Sequence, residues 1–64
     1  MTEEDELCYG AAMIGRTMDK RAVWRSISGL LFRIEHHHSG TAYRVVVLES
    51  EITTKFKKPR PWKA

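Results

Sequence analysis

Cysteine is almost missing from this chain, and two common supports for a small fold go with it. Cys8 is the only one, so no intrachain disulfide braces the structure and no cysteine-paired zinc site exists. No apolar run approaches the roughly 20 residues that span a bilayer. Neither a glycine-rich phosphate loop nor a Gly-x-Ser-x-Gly nucleophile turn is present. Proline occurs only as Pro59 and Pro61. A basic leading segment of the secretory kind is lacking too, because Met1–Glu6 is acidic. These absences point to a cytoplasmic, non-enzymatic protein with no membrane partner. At 64 residues, a chain buries only roughly 60% of its unfolded surface. A homodimer is therefore expected.

Charge is plentiful and unevenly placed. The formal net charge is +3, but residues 1–19 set five acids against Arg16 alone, a net of −4. Residues 20–64 carry ten Lys/Arg against Glu35, Glu49 and Glu51, a net of +7. Such a split suggests an anionic partner for the basic part.

The best-specified stretch is Leu30–Leu48, which reads as a β-hairpin about Ser39-Gly40. With those two residues as the loop, Phe32 faces Val47, Ile34 faces Val45 and His36 faces Tyr43. The opposite face then pairs Glu35 with Arg44, Arg33 with Val46 and Leu31 with Leu48. Glu35 opposite Arg44 is a pair worth roughly 0.2–1 kcal/mol. A second turn, Ser28-Gly29, places Val23 and Ile27 on the apolar face and Trp24 opposite Arg33. Residues 22–28 also fit a short helix capped by Asp19 and stopped by Gly29. The turn spacing favours the strand.

Upstream, Leu7, Ala11, Ile14 and Met18 recur at helical spacing, and acids crowd the N-terminal turn where a helix dipole favours them. This predicts a helix from about Glu3 to Met18, with Gly10 and Gly15 counting against it. Downstream, Pro59 and Pro61 bias their neighbours to extended backbone. The predicted fold is α+β: an N-terminal helix on a three-stranded antiparallel meander in residues 1–54, then a basic extended arm over 55–64.

His36 and His38 share a strand face, but zinc sites want three or four ligands. Only Cys8 and remote carboxylates are on offer, so no metal or cofactor is expected from one chain; a site shared across a dimer stays open. Cys8 follows an acidic stretch, which opposes thiolate formation.

Two functions remain. In the first, a regulatory nucleic-acid-binding protein, with DNA the favoured target, uses the outer sheet face and the arm. Arg33, Arg44, Lys55, Lys57, Lys58, Arg60 and Lys63 hold phosphates, while Trp24 and Trp62 stack or pack. Interleaved cations and rings suit single strands, and cations alone hold a duplex backbone. In the second, an inhibitor or adaptor docks on a larger protein through an apolar patch of Leu31, Val46 and Leu48.

Overall fold

Three turns of one design organise the chain. They are Thr17–Arg21, Ser26–Leu30 and His37–Thr41 in a computed structural model that describes residues 3–61, with side chains from residue 5. In each, the first residue's N–H donates to the fifth residue's carbonyl at 2.8–2.9 Å. The fourth residue's N–H donates back to the first carbonyl at 2.9 Å. The fourth residue has positive φ every time: +64° at Lys20, +94° at Gly29 and +91° at Gly40. These are three-residue hairpin loops closed by a left-handed residue. The hydroxyls of Thr17 and Ser26 each accept from the fifth residue's N–H, at 3.2 and 3.0 Å. The Thr17 hydroxyl also donates to Asp19 and holds that exposed carboxyl below its ordinary range. That interaction favours the fold above the usual carboxylate range and is lost as acid protonates the group.

The turns link β1 (Ala12–Thr17), β2 (Ala22–Arg25), β3 (Leu31–His36) and β4 (Ala42–Val46). A 3-10 turn, Glu49–Glu51, leads into β5 (Ile52–Pro61), which returns to pair with β1. The antiparallel order is β4-β3-β2-β1-β5. A short helix, α1 (Glu3–Cys8), packs at β4. The expected helix on a three-stranded meander is therefore replaced by a five-stranded sheet, and the expected arm contributes its residues 55–61 to β5. Trp62 and Lys63 lie outside the described residues. Pro59 and Pro61 are tolerated because β5 is an edge strand. Among the described residues, no helix is long and apolar enough to cross a membrane.

The helix stops at Cys8 because Gly10 takes a left-handed φ of +75° and the Ala11 N–H donates to the Cys8 carbonyl at 2.8 Å. Such an exit is a common glycine helix end. Leu7 and Ala11 are not one helical stripe with Ile14 and Met18; the last is 84% exposed in the first turn.

The hairpin register is also corrected. Phe32 pairs with Val46, Arg33 with Val45, Ile34 with Arg44 and Glu35 with Tyr43. At the preceding hairpin, Trp24 pairs with Phe32 and Arg25 with Leu31. Both registers differ by one residue from a two-residue Ser-Gly loop. A two-residue loop needs positive φ at its first position, which glycine takes readily and serine does not. With glycine last, the three-residue loop is the unstrained choice. One residue of slip reverses every partner's face. Trp24 therefore joins Phe32 and Ile34, while Val45 and Val47 look the other way. Ile27, expected inside, is 89% exposed.

Each sheet face has its own cover. Cys8 and Ala11 bury Phe32, with Trp24 and Ile34 packed beside them. On the other face Val23 and Val47 are buried outside that cluster, where the described residues supply no second layer. The sheet must curl over them. Val47 still donates to the Leu31 carbonyl, and Glu51 donates to the Leu48 carbonyl across a tight turn. From Val47 to Ile52 the chain thus reaches about 15 Å at most. A flat sheet would part its edges by about 19 Å. On the concave side Arg33 bonds Glu35, and Arg21 Nη1 lies 2.7 Å from the same carboxylate.

Lys20 is the one non-glycine residue of positive φ among those described. Lys20→Gly keeps the backbone bonds and relieves the side-chain clash. A gain of about 0.5–1 kcal/mol follows, read as a melting temperature about 2–8 °C higher.

Candidate nucleic-acid interface

The surface expected from the outer face divides between two sides of the sheet. Trp24 is half-buried against Phe32. Arg44 shares that side, but its Nε and Nη2 both donate to the Leu7 carbonyl, at 3.0 and 2.6 Å. Its guanidinium also lies 5.0 Å from the Phe32 ring centroid. Arg44 therefore fastens α1 to β4. Arg33 is on the opposite side, half-buried with Glu35. Leu31 is likewise separated from Val46 and Leu48, which stay exposed at 64% and 65%.

The basic strand gathers what that face does not. Lys55, Lys57, Lys58 and Arg60 are exposed along β5. Lys55 Nζ lies 3.0 Å from Glu49 Oε1, and the Arg60 guanidinium lies 5.2 Å from the Phe56 centroid. No described carboxylate pairs with Lys57 or Lys58. Both lysines border a groove along β5.

At the Ser26–Leu30 end of the curl, a cleft of about 430 Å³ opens between β5 and the β2–β3 turn. Ile14, Leu31, Ile52 and Phe56 supply apolar surface; Arg25, Lys55 and Lys57 bring positive charge. Glu49 is also on its wall, opposed by Lys55. Lys55, Phe56, Lys57 and Pro59 are shared between this cleft and the groove along β5 that Lys58 and Arg60 also border. Sequence reasoning passed over Arg25 and Phe56. The available signal was an aromatic residue embedded in the cations of Lys55–Arg60.

The histidines do not assemble a site. His36 ends β3, and His37 opens the third turn with its ring stacked on Tyr43 at 4.3 Å. Among the described residues, no three of His, Cys, Asp and Glu group closely enough to hold a metal ion. No family model, curated protein or solved structure matches this chain.

Proposed function

We propose that this chain is a small, non-enzymatic, regulatory nucleic-acid-binding protein that holds the phosphate backbone along β5. The observation that carries the reading is a row of exposed cations, Lys57, Lys58 and Arg60, on an edge strand beside a cationic cleft. Cations held at strand spacing on a curled sheet lose little freedom when phosphates displace their counterions. Arg33 and Arg44 have internal partners, so they contribute less than the β5 cations.

Fluorescence anisotropy of a labelled oligodeoxythymidylate at rising salt tests the reading. Affinity is expected to fall linearly with salt on logarithmic axes. Replacing Lys57 and Lys58 together by Gln should flatten the slope by about 1.4, at roughly 0.7 per phosphate contact on a single strand. Absence of binding at about 50 mM salt, or an unchanged slope in the double variant, sinks the proposal.

A second reading, a protein-docking module, draws on the exposed side chains of Ile27, Leu30, Val46 and Leu48. Leu30 and Leu48 continue the β3–β4 register, which brings them alongside Val46. Apolar patches of this kind serve protein contacts, and a second copy of the chain is one such partner. Lack of salt-sensitive nucleic-acid binding would leave this reading standing.

A further inference from the structure

We propose that the cleft at the Ser26–Leu30 end of the curled sheet receives one unstacked base, and so selects single strands over duplexes. The inference rests on the nucleic-acid reading and adds the form of the ligand to it.

The cleft combines two surfaces that a bare phosphate site does not need together. Its apolar surface, from Ile14, Leu31, Ile52 and Phe56, suits a flat, weakly polar face. Its cations, Arg25 and Lys57, come from the β2–β3 hairpin and from β5, so positive charge flanks that surface on two sides. The volume of about 430 Å³ falls in the range of roughly 300–1,000 Å³ for small-ligand clefts. Lys55 lies against Glu49 at 3.0 Å, which offsets the acid that would repel a phosphate. Arg60 borders the β5 groove and not the cleft, whereas Phe56 borders both. Its guanidinium lies 5.2 Å from the Phe56 centroid, a further cation beside the aromatic surface that the cleft offers.

A single strand turns base faces outward and carries a phosphate on either side of each base. Stacking on an aromatic ring with flanking cations is the recurring way proteins hold such strands. A duplex keeps its base faces stacked and presents a convex, charged backbone. It can use Arg25 and Lys57 but not the apolar surface. Selectivity follows from that difference, without any hydrogen bond to a base edge.

Three labelled probes of equal length test the idea at one salt concentration: a thymidine single strand, an abasic single strand and a duplex. The thymidine strand is expected to bind about tenfold more tightly than the abasic strand, which carries the same phosphates. Phe56→Leu keeps apolar volume and removes the ring. It should erase most of that tenfold difference and leave the salt slope and the abasic affinity unchanged. The comparison of probes on the wild-type protein stands even if the variant folds poorly. Equal affinity for thymidine and abasic strands overturns the inference while the phosphate-binding reading survives. Competition by phosphatidylglycerol vesicles as strong as by the thymidine strand also overturns it. No salt-sensitive binding of any probe removes both.

Discussion

Gly15→Ala is expected to lower the melting temperature by about 10–20 °C and to loosen β5 before the rest of the sheet. A Cβ at this position would sit 2.2 Å from the Thr54 carbonyl oxygen and 3.0 Å from Ile52 Cγ2. The first neighbour is backbone, which no rotamer change can move aside. Gly15 pairs with Val23 on one flank and Lys55 on the other, so the new methyl group is caught at the centre of a three-strand contact. Overpacking of this kind costs about 1–3 kcal/mol, and more where backbone must move. A domain of this size is held by only roughly 3–10 kcal/mol, and each kcal/mol is worth about 4–8 °C. Amide exchange locates the damage: β1 and β5 should exchange faster while β3 and β4 keep their protection. On the proposed function, nucleic-acid affinity should fall in parallel, because β5 carries the cations. A variant that melts within about 2 °C of wild type would mean that β5 does not approach β1 so closely.

Phe32→Ala should leave the chain largely unfolded at 25 °C. Phe32 is fully buried and touches what α1 and the following turn bring to the sheet, Cys8 and Ala11. Trp24 pairs beside it, and Arg44 lies over its ring while holding the Leu7 carbonyl. One truncation thus weakens the helix attachment, the Trp24 packing and the cation–ring contact together. Phenylalanine-to-alanine changes in cores cost about 3–5 kcal/mol, comparable to the whole stability of so small a domain. Phe32→Leu, which keeps most of the volume, should lose only about 1–2 kcal/mol and remain folded. Denaturant titration followed by near-ultraviolet circular dichroism separates the two. An alanine variant with a native-like transition would show that the α1 side is not the main source of stability.

Hairpins were legible in the sequence because their signals are local. The alternation of Leu31–His36 and Ala42–Val46 and the two Ser-Gly pairs mark strands and turns without reference to the remainder of the chain. Pro59 and Pro61 likewise announced extended backbone. The Thr17–Arg21 turn was harder to see, since Lys20 occupies the left-handed position that glycine fills in the other two.

Facing was not legible with the same ease. Whether Trp24 lies beside Arg33 or beside Phe32 depends on one residue of loop length, and the apolar count of either register is similar. A protein with both sheet faces partly buried carries no clean inside–outside alternation to break the tie. The division of the expected site follows directly: Arg33 went to the concave side with Glu35 and Arg21, and Arg44 to the helix side.

Composition and local pattern alone determined that this chain has no intrachain disulfide, concentrates its positive charge late and turns sharply about Ser28-Gly29 and Ser39-Gly40. The tertiary structure alone decided that β5 crosses back to β1. That pairing joins residues about 40 positions apart, and its condition, the bare Cα of Gly15 against the Thr54 carbonyl, is a matter of space. The same closure brings Phe56, Lys57 and Arg25 to the lining of one cleft. No local propensity records such a meeting, because curling a sheet is a collective consequence of strand twist and of a linker too short to leave it flat.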